Sequence, residues 1–467
     1  MCKQNAAFIL AFLLIASATP VSAQTPTPPA GPIYIVQAGD TLWDIAVRFN
    51  VSVTDIQAIN NMSTQDIFVG NELIIPGLEE LSGTLITKPV PFGETLLSLS
   101  RQYRMDPATL RKLNHIVSPT QLYAGFGLIV LEQDNQTTWT TRASLGQGET
   151  LLELAVKGGS DPWTIAQING LAGPYAGLHG DILYLPSSNS TTGPTGLAAA
   201  IVSATVDPLP LTQGATVQVK VTTSQSITLG GLLVDHPLHF FPAEDGSQVA
   251  LQGVHAMTEP GLYPLRIDVI LPDGSTQSFE QMVLIQDANF KQDPVLIVDQ
   301  ETIDPAVTEP ENELLLSYTS VVNPEKYWDG TFLLPVDTQY CLRSFYGNRR
   351  SYNNSDYIYF HTGVDYGVCS ETRPLDIYSP AAGVVVFSGP LTVRGNATII
   401  DHGHGVYSGI WHQEESYVAV DDRVEAGQLI GKIGATGRVT GPHLHWELWV
   451  NGIQVDPLQW LDESFPH

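Results

Sequence analysis

Positive charge is what this sequence has least of. Only 21 Lys and Arg stand against 48 Asp and Glu, a formal net charge of −27 over 467 residues. Holding a phosphate backbone needs clustered Lys and Arg, so nucleic acid is excluded as a partner, and anionic membrane surfaces with it. Long hydrophobic runs are missing as well. The apolar stretch from Ala6 to Ala16 is too short to span a bilayer comfortably. It follows a single charge, Lys3, and leads to Val21-Ser22-Ala23 before Gln24, the pattern of a secretory signal cleaved after Ala23. The expected mature chain is exported and has no stable membrane span. Cysteine is scarce too, with three residues in all. Cys2 leaves with the signal and lacks the small-residue context of a lipoprotein cysteine. Cys341 and Cys369 remain, and in an exported protein two cysteines pair more often than they stay free.

Histidine is limited to twelve residues, yet two of them stand one residue apart in "TGPHLHWELW", residues 440 to 449. The run reads as a β-strand, and side chains on a strand alternate between faces. His443, His445 and Glu447 then share one face, with Leu444, Trp446 and Leu448 as the apolar underside. Two imidazoles side by side on a strand face suit a metal site or acid–base chemistry.

The chain is too long for one ordinary domain. After the signal (1–23), the stretch "QTPTPPAGP" (24–32) is a Pro-rich tether. A repeat follows. "AGDTLWDIAVRFNVSVTDIQAIN" starts at Ala38, "FGETLLSLSRQYRMDPATLRKLN" at Phe92 and "QGETLLELAVKGGSDPWTIAQIN" at Gln147. Gly39, Gly93 and Gly148 step by 54 and then 55 residues, and so do Asn60, Asn114 and Asn169. In each unit a short strand runs into Gly-Asp/Glu-Thr, whose Thr is a good helix N-cap. Two helices follow, the second starting near Thr54, Asp106 or Asp161, and a strand closes the unit ("ELIIP", "GLIVLE", "ILYLP"). The Gly-Asp-Thr-Leu opening (Gly39 to Leu42) and the Ile-x-x-x-Asn close (Ile56 to Asn60) resemble the LysM module. The resemblance implies three βααβ modules, at 33–77, 84–132 and 139–187. It also implies binding of N-acetylglucosamine-containing glycans such as peptidoglycan. The sugar groove would lie between the loop after the first strand, Gly39-Asp40-Thr41, and the stretch around Ile67 to Gly70. The second and third copies depart from the pattern and are readable as spacers.

A linker at 188–196 leads to residues 197–290, where "ATVQVKVTT", "LYPLRIDVIL" and "SFEQMVLIQ" alternate with period two and "LPDGST" marks a hairpin. This reads as an all-β, Ig-like sandwich. Residues 291–330 read as an acidic connector. From residue 331 to 467 short strands and Gly-rich turns predict another all-β domain, with "FLLPVD", "AAGVVVFSGP", "NATIIDHG" and "GQLIGKIG" as strands.

In "YFHTGVDYGV", His361 and Asp365 stand four apart across a glycine, a plausible pair of zinc ligands. A catalytic zinc takes three protein ligands and leaves a position for water. One histidine of the 443/445 pair would be the third ligand and the other an acid or base. "HTGVD", "SPAAGVVVFSG", "GQLIGKIGATGRVTGPHLHWELWVNG" and "VDP" resemble, in order and spacing, the lysostaphin/LytM-type zinc endopeptidases. Carried across, the resemblance implies one Zn²⁺ per chain on His361, Asp365 and His445. It implies His443 as general base and His412 as the histidine that holds the substrate carbonyl and stabilises the oxyanion. Ile410, Trp411 and Gln413 depart from the family's pattern around His412. Glu447 is expected in a structural ion pair. "FYGNRR" (345–350) resembles the Phe-Gly-x-Arg start of such domains. His402 and His404, in "DHGHG", are expected to be turn residues.

The expectation is a monomeric, secreted, cell-wall-associated hydrolase: LysM modules on glycan, a β-sandwich spacer and a zinc domain that cuts peptidoglycan peptides. The alternatives are a non-enzymatic LytM-like regulator of another hydrolase, a LysM scaffold with a vestigial zinc fold, or a peptidase acting on an extracellular protein.

Overall fold

The computed structural model describes residues 31–133, 139–186, 192–337, 341–367 and 375–467. The signal segment and Cys369 lie outside the described residues. The chain forms two compact units, 1–85 and 86–467.

In the first unit, strand Ile33–Ile35 pairs antiparallel with Glu72–Ile74, and helices Leu42–Phe49 and Val53–Ile59 lie between them in sequence. Leu42, Ile45, Ala46 and Phe49 recur at helical spacing and are buried together. Thr41 caps the first helix by accepting from the Asp44 amide, and Ser52 caps the second. The closing asparagine has a structural task. Asn60 Nδ2 donates to Ile56 O and Ile74 O, both at 2.8 Å, and its Oδ1 accepts from the Ile74 amide at 2.8 Å. It ties the second helix to the last strand.

The second unit repeats this plan twice. Asn114 grips Ile129, and Asn169 grips Tyr184, through the same three bonds. Thr95 and Thr150 are the helix caps that the repeat predicts, as are Asp106 and Asp161. The middle repeat is also tied to the next domain. Gln281 accepts from the Gly93 amide at 2.9 Å and donates to Leu122 O at 3.1 Å, while the Ala124 amide donates to Met282 O.

Residues 201–286 form two sheets that share one apolar cluster, with Val217, Val219 and Val221 from one and Leu265, Ile267, Val283 and Ile285 from the other. The expected hairpin joins Gly261–Ile270 to Thr276–Gln286.

The C-terminal region is built on one large sheet. Its spine runs Cys341–Ser344, Val364–Gly367, His443–Val450, Val406–Ser416, Gly395–Gly403 and Gly383–Leu391, all antiparallel neighbours. Two expectations need correction. "FLLPVD" is not a strand. Phe332 donates its amide to Trp460 O and Leu333 to Pro380 O, irregular contacts consistent with the proline at 335. Residues 291–330 are also more than a connector. They hold a 15-residue helix, Pro305–Thr319, started by Asp304 as N-cap and Pro305 in the first turn. Its buried Glu311 accepts from the amides of Val393 and Arg394 and pairs with the Arg394 guanidinium at 2.9 Å. Leu315 joins Trp411 and Trp449 in a small core. Composition marks this segment as polar, but Leu315 and Tyr318 on the helix, Trp328 beyond it and the buried Glu311 carboxylate dock it.

Candidate metal centre and active site

Sheet register builds the centre. Asp365 lies directly opposite His445, and Gly367 opposite His443. Leu444, Trp446 and Leu448 point into the core, as alternation predicts, while His443, His445 and Glu447 line a groove on the other face. The glycine of "HTGVD" is required by close approach: a Cβ on Gly363 would sit 2.2 Å from Trp446 O.

Three acceptor atoms converge. His361 Nε2 lies 3.0 Å from Asp365 Oδ1 and 3.0 Å from His445 Nδ1, and His445 Nδ1 lies 2.8 Å from the same Oδ1. Partners on the far side of each ring assign the tautomers. His361 Nδ1 donates to Phe345 O at 2.9 Å, which leaves Nε2 as a lone pair toward the cluster. His445 Nε2 donates to Glu447 Oε1 at 3.2 Å, which leaves Nδ1. Two lone pairs and a carboxylate oxygen facing one another could hold a metal cation between them. Nitrogen and oxygen donors of this kind fit a zinc-type metal. Glu447 is held by Thr362 Oγ1 at 2.7 Å and Gln454 Nε2 at 3.1 Å, and Arg350 donates to Asp365 Oδ2 at 3.0 Å.

The electrostatics agree. Burial pushes His361 down to about 4. Burial opposes charge on Asp365 as well, yet His361 and His445 hold it well below the usual carboxylate range. Burial is likewise outweighed at His445, which is raised by its bonds to Asp365 and Glu447. Glu447, although buried, is lowered to about 2 by His445 and Arg394. Asp365 and Glu447 stay ionised beside the rings, and His445, between them, is the one imidazole of the four that is raised.

The other two histidines stand beside it. His443 Nδ1 donates to Gly441 O at 2.9 Å, and its Nε2 is 3.6 Å from Asp365 Oδ1. His412 Nδ1 donates to Thr436 O at 2.8 Å, and its ring centre lies 4.9 Å from that of His443. Burial lowers both, His412 further because two imidazoles surround it. Both are neutral bases at Nε2. The role expected of His412, donor to a substrate carbonyl, calls for a proton on this Nε2. His412 also has φ +62, a left-handed conformation rare outside glycine, where the strand pairing is irregular. That bulge turns the ring toward His443. His412, His443 and His445 could form a second metal-binding trio. It lacks a carboxylate, so the trio with Asp365 is the better cation site.

All five expected residues of the centre are brought together. Arg350 lay within a motif already singled out. The ion pair expected of Glu447 is made with His445, two residues before it on the same strand face. His402 is buried with both nitrogens satisfied, by Ala382 O and Ser408 Oγ, and is structural. His404 stacks on Phe241 at 3.9 Å.

In the first repeat the two expected loops are adjacent, with the Gly70 amide on Val36 O at 2.9 Å. Asp40 and Thr41 are engaged structurally. Asp40 accepts from Tyr34 and the Gln37 amide, and Thr41 caps its helix. Around Gly39 the backbone is open, Ile67 is half-buried, and Phe68 and Val69 are exposed.

The sequence model of peptidase family M23 matches residues 359–457, and that of the LysM domain matches 34–76 and 90–130. The chain is similar to the DD-carboxypeptidase/endopeptidase Mpg of Neisseria meningitidis, 38% identical over 98 residues, 21% of this chain and 22% of that one. It is 34% identical over 125 residues to the peptidoglycan DD-endopeptidase ShyA of Vibrio cholerae, 27% of this chain and 28% of that one. The matches thus span about a quarter of the length of these relatives. The catalytic domain of the antimicrobial peptidase lysostaphin from Staphylococcus simulans aligns at 27% identity, over 27% of this chain and 93% of that domain, with a TM-score of 0.24. No helix among the described residues is long and apolar enough to cross a membrane. The C-terminal domain of this chain belongs to peptidase family M23, and residues 34–76 and 90–130 are LysM domains.

Proposed function

We propose that this chain is an exported zinc endopeptidase that binds peptidoglycan through LysM repeats and hydrolyses its peptides. The observation that carries this reading is the convergence of His361 Nε2, His445 Nδ1 and Asp365 Oδ1, flanked by two neutral imidazoles in an open groove. Those three atoms would hold the zinc. When bound, it would polarise a peptide carbonyl and lower the pKa of a water toward ~7. The chain's own residues do the rest. His443 Nε2 accepts the proton of the attacking water and returns it to the leaving amine. His412 Nε2 is a second acceptor beside it and becomes a donor toward the substrate only after protonation. Glu447 and Phe345 O keep the ligand rings from turning.

The first repeat carries the glycan contact at its open loop, through Gly39, Ile67 and the neighbouring Phe68. The second uses the corresponding backbone to dock on Gln281 and Met282, so it serves as a spacer. We also assign the Cys341–Cys369 disulfide on the two-cysteine argument. Tethering on glycan raises the local concentration of cleavable bonds.

The test is mass spectrometry of soluble products from purified peptidoglycan incubated with the full chain, with and without a zinc chelator. New, chelator-sensitive peptide amino termini are expected. Their absence, with the isolated C-terminal domain silent in the same assay, would favour the regulator reading.

A further inference from the structure

The groove in front of the metal centre encloses about 930 Å³ and is walled on one side by the helix Pro305–Thr319. In a chain this poor in positive charge, three arginines of the groove are close enough to feel one another: Arg350, Arg394 and Arg438. Two are neutralised. Arg350 pairs with Asp365 at 3.0 Å and Asp293 at 3.3 Å, and Arg394 pairs with Glu311 at 2.9 Å. Arg438 is different. One of its nitrogens, Nη1, donates to Thr302 O at 3.0 Å, and its Cζ lies 4.5 Å from the ring centre of Tyr352. It has no ion pair among the described residues; Glu311, the acid that reaches it electrostatically, is already held by Arg394.

A guanidinium carries five N–H donors in a planar fork matched to a carboxylate. Here most of them are unused. Removing a charge from water without a counter-charge is costly, and burial together with Arg394 and Arg350 presses Arg438 below the ordinary arginine value. Tyr352 lies against the guanidinium from one side. Val393 O fixes the backbone below it by accepting the Arg438 amide at 2.7 Å. The groove thus holds a pre-positioned cation with no ion pair among the described residues, in the same cavity as His443 and His412.

We propose that Arg438 is a carboxylate subsite, and that the peptide cleaved carries a free carboxylate beside the scissile bond. The proposal rests on the peptidase reading above and adds a chemical class to its substrate. The carboxylate supplies the missing counter-charge, and the fork gives it a bidentate seat. In a strongly acidic protein this local cation also offsets the repulsion an acidic peptide would meet.

The test uses the full chain and two synthetic peptidoglycan stem peptides that differ only in whether the carboxyl next to the cleaved bond is free or amidated. The wild type is expected to prefer the free acid. Arg438→Gln should lose about 10- to 100-fold in kcat/KM on the free acid, mostly through KM, and change by less than about twofold on the amide. Arg438→Lys should recover part of the loss. Equal rates of the wild type on both peptides would overturn the proposal. So would an equal loss on both in Arg438→Gln with a lowered melting temperature, which would mark Arg438 as a tie to Thr302 only. If the wild type cleaves neither peptide, the peptidase reading fails, and calorimetric binding of the same two peptides still decides this one. A free-acid preference abolished in Arg438→Gln supports the subsite, and no preference sinks it.

Discussion

Two histidine neighbourhoods share one sheet and differ in a single respect. His402 is fully buried on Gly395–Gly403, and both of its ring nitrogens have partners: Nδ1 donates to Ala382 O at 2.8 Å and Nε2 meets Ser408 Oγ at 2.9 Å. A few strands away, His361, His443, His445 and His412 each have one nitrogen fixed by a carbonyl or carboxylate and the other turned toward a common space. Burial does not separate them, since His361 is as deeply buried as His402. What separates a core histidine from a working one is the count of satisfied nitrogens. A half-satisfied ring in a protein interior is costly unless something else completes it.

The comparison breaks most severely at the shared carboxylate. Asp365→Asn keeps the shape but removes the charge that gathers three rings. Bound zinc, read by elemental analysis, should fall to background, and peptide release should fall below detection. Retention of stoichiometric metal would mean that the trio of His412, His443 and His445 is the true site. Next in size is His443→Ala, where the metal should stay and kcat should fall about 10²- to 10⁴-fold, the range for loss of one acid–base group. An unchanged rate would remove His443 from the chemistry. Glu447→Gln loosens the clamp on His445 and should cost about 10- to 100-fold in metal affinity or activity. No change in either would reduce Glu447 to filler.

The smallest catalytic effect is expected at the contrasting site. His402→Gln should leave activity per folded molecule unchanged but alter acid stability. The folded pKa of His402 is depressed by burial from 6.5 to about 4. Between those values the unfolded chain binds a proton that the folded chain refuses, so stability falls as pH drops from 6.5 toward 4. The loss attributable to this residue is about 3 kcal/mol. Denaturant midpoints measured across that pH range should decline less steeply in His402→Gln. An identical decline would mean that other groups govern acid unfolding.

Much of the centre was readable because its parts are local. "HTGVD" and "HLHWE" each place their chemistry within a few residues, and the strand period puts His443, His445 and Glu447 on one face before any fold is known. The repeat asparagines were legible as a pattern, and their purpose, bridging a helix to a strand about fifteen residues on, became clear in the hydrogen bonds. The acidic composition of 291–330 hides its docking, because its buried contacts, Glu311 to Val393 and Arg394 among them, reach across more than eighty residues.

The sequence by itself determined the repeats, the helix caps, the alternation of the His443–Val450 strand and the identity of the side chains that meet at the centre. These depend on covalent geometry and near neighbours, which the chain carries before it folds. Only the tertiary structure decided which ring nitrogen faces the shared centre, the left-handed bulge that aims His412, and the helix that walls the groove. It alone left Arg438 without a counter-ion. Each of these is set by a partner far along the chain, and hydrogen-bond complementarity between distant segments leaves no local periodicity to read.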